Sequence, residues 1–172
     1  LPEFTRRYPL IELDLRLNDR IVDLVAERVD VALRVGPIRQ AGLAARRVSQ
    51  VNIVTCAAPA YLQDHGEPKT PDELREHKLV GLTSPSGAPP EWTFPPPYTP
   101  KRLGLKFSML FNSAEAPIIA ATAGLGIAHT GDLLVAEYVG RGELKLILED
   151  FVVPGPPISL VYSEPHATFP EA

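Results

Sequence analysis

Two glycines one residue apart, Gly124 and Gly126, separate a helix-like run from a strand-like run in AATAGLGIAHTGDLLVAEY (residues 120–138). Their order restricts the fold. A dinucleotide-binding loop needs a strand, then the glycines, then a helix whose free N–H groups receive the pyrophosphate. Here the helical positions Ile118, Ile119 and Ala121 come first, and the strand GIAHT follows. The third glycine of that fingerprint would fall at position 129, which is histidine. The stretch therefore reads as a helix-to-strand turn with Gly124 as a left-handed C-cap, and Thr130 or Asp132 opens the next helix. The chain holds no Walker A sequence and no G-x-S-x-G elbow.

Strand and helix periods alternate along the rest. LPEFTRRYPL places Leu1, Phe4 and Tyr8 near helical spacing and reads as the second half of a helix from a longer chain. LIELDLRL (10–17) alternates apolar and polar residues like a half-buried strand. Asn18 or Asp19 caps a short helix carrying Ile21, Leu24 and Val25, and VDVALRVG (29–36) is the next strand. Together they predict a parallel βαβ unit with a right-handed crossover. VSQVNIVTCAA (48–58) is a strand leading into a helical turn at Pro59. Thr70 and Pro71 begin a small helix that precedes a strand. Residues 84–100 contain seven of the 19 prolines, yet Trp92 and Phe94 alternate as on a pleated surface, predicting short strands joined by stiff loops. LGLKFSMLFN (103–112) is a strand, and Asn112 or Ser113 caps the following helix, Asn112 and Glu115 having capping-box spacing. ISLVYS (158–163) is the last clear strand.

Composition narrows the chemistry. The net charge is −4 with only three basic pairs, which does not suit a chain that grips nucleic acid itself. The single cysteine, Cys56, rules out an internal disulfide and a multi-cysteine zinc site. The four histidines are scattered without metal-ligand spacing, and no apolar run approaches membrane-spanning length. No catalytic residue, metal or cofactor is expected.

The order of elements and their marker residues resemble the effector-binding domain of LysR-type transcriptional regulators. LPEFTRRYPLIELDL is similar to that family's helix end and second strand. DRIVDLVAERVDVALRVG follows the pattern D-r-x-v-D-L-v-x-x-x-x-D-v-a-l-R-x-G of one large subgroup. CAAPAYLQDHGEPKTPDELREHKLVGL, EWTF, FNSAEAPIIAATAGLGIAHTGDLLV, GELKLIL and ISLVY continue the match in order. The departures are Ala58 where serine is common, Gly131 where proline is common, and Pro117 in the first turns of its helix, which forces a late start or a bend.

The resemblance implies a type 2 periplasmic-binding-protein-like α/β fold: two α/β lobes joined by two crossing strands, with a ligand cleft between them. Lobe I would be residues 1–56 and 157–172, and lobe II residues 57–156. The family's winged helix-turn-helix domain, and its first effector-domain strand, have no counterpart in these residues. A cytoplasmic regulator working as a homodimer or homotetramer is implied, with a small-molecule effector and with DNA reached only through the winged helix-turn-helix domain. A periplasmic solute-binding protein of a transporter shares the fold and is the alternative.

Strand ends and helix N-termini then supply the site candidates, and such termini favour an anionic effector. Asn18 either donates to the ligand or simply caps a helix. Arg34, two before Gly36, either clamps a carboxylate or makes a structural ion pair. Asn112 and Ser113 would cap and bind at once. Thr130 opens a lobe II helix, and Ile158 either walls the pocket or belongs to the core. Cys56 reads as a small buried apolar residue, His129 as a surface or packed histidine, and Trp92 as lobe II core.

Overall fold

A computed structural model of the protein describes residues 1–17, 22–38, 40–84 and 87–163. In chain order the elements are α1 (Pro2–Arg7), β1 (Val31–Val35), β2 (Leu43–Ala57), α2 (Pro59–His65), β3 (Leu79–Leu82), α3 (Pro100–Leu103), β4 (Met109–Phe111), α4 (Ala116–Thr122), β5 (Ile127–Gly131), α5 (Asp132–Gly140), β6 (Lys145–Ile147) and β7 (Val153–Ser163). Single 3-10 turns lie at Pro71–Glu76 and Glu149–Phe151.

The strands join in the order β1-β7-β2-β5-β3-β4, with β6 also on β2. β2 is the common member. Its first part pairs antiparallel with β7, from Leu43 opposite Ser163 to Ile53 opposite Val153. From Ile53 onward β5 pairs on its other edge, and from Thr55 onward β6 follows β7 on the first. Within the β2–β7 ladder the register shifts twice, at Arg47/Ser49 and Gln50/Asn52, and such irregularities bend and twist a strand. Pro154, Pro156 and Pro157 lack ladder donors and fall opposite this irregular stretch.

Around β3, β5 and the end of β2 the sheet is covered on both faces. Ala57, Leu79 and Ile127 point into one cluster with Tyr61, Leu74, Trp92, Phe94, Leu103 and Ile147. Their neighbours Cys56, Val80 and Ala128 point into the other, with Ile118, Ala121, Val135 and Leu144. Strands with two buried faces read as continuous apolar runs, as VTCAA and KLVGL do.

The two glycines have different reasons. Gly124 follows the end of α4 at φ +74°, where a side chain is disfavoured. At Gly126 a Cβ would lie 2.5 Å from the Lys78 carbonyl oxygen, so only glycine lets β5 approach β3 there. The helix-to-strand reading holds.

Several expectations need correction. Residues 11–17 form no regular element and join no ladder among the described residues, with Leu10 and Leu17 each 96% exposed. Alternation specifies a two-faced ribbon without supplying a partner. Asn18, Asp19 and Ile21 lie outside the described residues. Residues 23–29 form hydrogen-bonded turns, with the Asp23 carboxylate accepting from the N–H groups of Val25 and Ala26. No parallel βαβ unit forms there: β1 pairs antiparallel with β7, and the parallel pairs are β3–β4 and β3–β5. Residues 84–100 contain no strand among those described. Seven prolines remove the ladder donors, and Trp92 and Phe94 are buried from an irregular segment instead. Only Met109–Phe111 of the run 103–112 is strand.

Among the described residues β1 bonds to β7 on one side only, and Val31, Leu33 and Val35 are exposed along it. Such an edge templates further strand pairing. Leu33→Lys is expected to reduce concentration-dependent self-association, read by light scattering; unchanged scattering would show that this edge is not the sticky one.

Candidate functional site

α4 begins later than the capping-box spacing suggests. Glu115 is its N-cap residue, and no side chain caps it. Were Asn112 the cap, Pro117 would sit in the fifth helical position, where it lacks the N–H that the helix requires. Starting at Ala116 instead puts Pro117 in the first turn, where no N–H is needed. The capping reading of Asn112 and Ser113 is thereby corrected. Residues 112–115 become a bend leading out of β4, and this frees Ser113 and Glu115 to face a cavity.

That cavity has a volume of about 380 Å³ and is lined by Leu17, Ser113, Ala114, Glu115, Ile118, Leu134 and Tyr138. The start of α4 and one face of α5 form its walls, and Leu17, itself 96% exposed, stands at its rim. Leu134 and Tyr138 are four residues apart and so share a helix face. Glu115 is the one charged lining residue among the described ones. Arg141 lies 5.0 Å from the centre of the Tyr138 ring, but its guanidinium is already paired with Glu137 and Glu143.

α5 is anchored at its start. The Asp132 carboxylate accepts from Leu133 N–H (2.8 Å), Asn52 N–H (3.2 Å) and the Asn52 side-chain amide (2.8 Å). Of the two residues expected to open this helix, Asp132 is its first residue. Thr130 stays in β5 opposite Val54.

The structure separates the sequence candidates into groups. Ser113 lines the cavity, and Asn112 precedes it on the exposed bend. Arg34, Gly36 and Ile158 gather on the β1–β7 ladder, where Val35 faces Ile158. Arg34 donates to the Val22 carbonyl and, at 3.3 Å, to Gln40 Oε1. Gly36 N–H donates to the Pro157 carbonyl (2.9 Å), and Ile158 is buried. Asn18 falls outside the described residues. Sequence reasoning missed Leu17, Glu115, Ile118, Leu134 and Tyr138. The available signal was the Leu134/Tyr138 spacing; nothing local tied it to Leu17.

Of two groups singled out in the sequence, Cys56 is buried and His129 is half-buried. Burial pushes the Cys56 thiol up to about 12, which keeps it protonated and unreactive. His129 stacks on Trp92 with ring centres 5.0 Å apart and lies beside Phe94. Its Nε2 is 3.1 Å from the Thr93 carbonyl oxygen, which can only accept, so Nε2 carries the proton. Nδ1 then accepts from the Thr55 hydroxyl at 2.9 Å. The packed reading of His129 is the one observed.

Burial lowers the His129 pKa from 6.5 to about 4, against the opposing Thr93 hydrogen bond. The unfolded chain therefore takes up this proton first. The stabilisation is full above pH 6.5 and is lost as pH falls toward 4. Burial also lowers His77, which adds a share of the same sign. Denaturant melts of His129→Gln are expected to show a shallower stability loss between pH 7 and pH 5 than the parent chain; an identical slope would contradict the assignment.

Comparison with known proteins follows this geometry. The family model described as LysR substrate binding domain matches residues 1–171. An uncharacterized HTH-type transcriptional regulator of Haemophilus influenzae is 30% identical over 162 residues, covering 94% of this chain and 56% of that protein. The regulatory domain of CrgA, a LysR-type transcriptional regulator from Neisseria meningitidis, superposes with a TM-score of 0.86 at 28% identity, covering 98% of this chain and 82% of that one. The effector domain of AmpR of Pseudomonas aeruginosa shares the fold, with a TM-score of 0.73 at 21% identity, covering 99% of this chain and 79% of that one. The chain spans about half the length of the curated relatives it matches. Those relatives are transcriptional regulators, not binding proteins of transporters, so the transporter alternative is set aside. The type 2 periplasmic-binding-protein-like α/β fold is the one observed.

Proposed function

The chain belongs to the LysR substrate binding domain family, and from that membership we propose that it is the effector sensor of a cytoplasmic, non-catalytic transcriptional regulator. The observation that carries this reading is the cavity holding Ser113. Its walls come from α4 and α5, and Leu17 of the N-terminal segment stands at its rim. A ligand there touches both groups of elements at once. It stabilises the arrangement in which they close on it, and so shifts the population of arrangements. The register shifts in β2 are the natural place for such a movement to be absorbed.

The lobe division belongs to the same proposal: residues 1–56 with 157–172 against residues 57–156. Near Ile53 β6 takes the place of β7 on one edge of β2 and β5 joins the other edge, which supports it. DNA would be addressed through a winged helix-turn-helix domain joined to this one, in a homodimer or homotetramer. Within the fold, Ser113 is the strongest of the sequence candidates for effector contact, followed by Asn112. Arg34, Gly36, Thr130 and Ile158 would act from the ladders behind the cleft. No helix of the described residues is long and apolar enough to cross a membrane.

The test has two arms. The 172-residue chain, with its net charge of −4, is expected not to retard duplex DNA in a low-salt gel shift. In a thermal-shift screen of small metabolites, at least one compound is expected to stabilise the parent chain and not a folded Ser113→Trp variant. Tight DNA binding by this chain, or equal stabilisation of both proteins by every hit, would overturn the reading.

A further inference from the structure

We propose that the cavity beneath Leu17 takes a small amine, an apolar alkyl or aryl body bearing one ammonium group. The inference rests on the reading of that cavity as the effector seat. Four of its lining residues, Leu17, Ile118, Leu134 and Tyr138, present carbon surface, and two, Ser113 and Glu115, present polar side chains. Its volume of about 380 Å³ lies near the small end of ordinary ligand sites, which suits a compact body.

Charge decides the class. Glu115 is the one charged group lining the cavity among the described residues. A carboxylate ligand would meet that carboxylate with no cation among the described lining residues to offset it. Arg141, beside Tyr138, is already held between Glu137 and Glu143. An ammonium group instead gains the Glu115 carboxylate, the Ser113 hydroxyl as acceptor and the face of the Tyr138 ring. This replaces the anionic effector suggested by helix N-termini: α4 has seven residues and starts behind Glu115.

Three probes of one shape separate the possibilities: phenethylamine, phenethyl alcohol and hydrocinnamate, titrated into the 172-residue chain by calorimetry and by amide chemical-shift mapping. The amine is expected to bind about five- to ten-fold more tightly than hydrocinnamate, as a partly exposed ion pair with a ring contact would give. Glu115→Gln is expected to erase the preference while keeping binding of the alcohol. Ser113→Trp, with its fold checked by circular dichroism, is expected to lose all three. Equal or tighter binding of hydrocinnamate, survival of the preference in Glu115→Gln, or absence of amine binding each overturns the amine. If binding is still lost in Ser113→Trp, the cavity remains the effector seat. Undiminished binding of the probes in folded Ser113→Trp would sink the seat itself.

Discussion

The pairing of β2 with two different sets of strands is the constraint on which the rest of this structure depends. One fifteen-residue strand bonds to β7 along its first part and to β5 and β6 at its end. On one edge of the strand β6 takes over from β7, β5 joins the opposite edge at Ile53, and two register shifts within the β2–β7 ladder bend the strand just before that point. Everything on either side is placed relative to this strand. The two apolar clusters grow from alternate residues of its end, Cys56 into one and Ala57 into the other. Asn52 fixes the start of α5 through Asp132, and α5 presents Leu134 and Tyr138 to the cavity.

In the proposed reading, the same strand is where binding and conformational change would be joined. Elements packed on the two clusters are held by buried surface and by ladders on both sides. The segment 10–17 has neither among the described residues, and its apolar side chains are exposed. The cavity lies where this lightly held segment meets the firmly held helices. A ligand that fills it adds contact on the weak side, where little free energy is needed to shift an equilibrium.

Much of this was legible in the residues. The glycine pair revealed its turn because helix and strand periods flank it in an unambiguous order. VTCAA and ISLVY read as strands from their apolar runs, and the motif order carried the family. The failures share a cause: they depend on partners far away in the chain. LIELDLRL has a strand's alternation, but pairing is a property of two segments. Trp92 and Phe94 alternate as in a strand, yet the surrounding prolines cannot donate to a ladder, and both are buried from irregular backbone. The capping box at Asn112 failed for a local reason that was available, the missing N–H of Pro117. The cavity itself was only half legible, because Ser113 lies in a motif whereas Leu17 meets α5 only through the fold.

If β2 joins both halves into one cooperative unit, then its end should be reached by solvent only when the whole chain unfolds. The chain has one cysteine and one tryptophan, Cys56 in β2 and Trp92 in the proline-rich segment packed against it. The decisive measurement compares the free energy of opening that limits Cys56 labelling by a thiol reagent in low denaturant with the free energy of global unfolding from Trp92 fluorescence. One shared value across denaturant concentrations is predicted. A markedly smaller opening free energy at Cys56 would show that the end of β2 detaches on its own, and would contradict its place as the common spine.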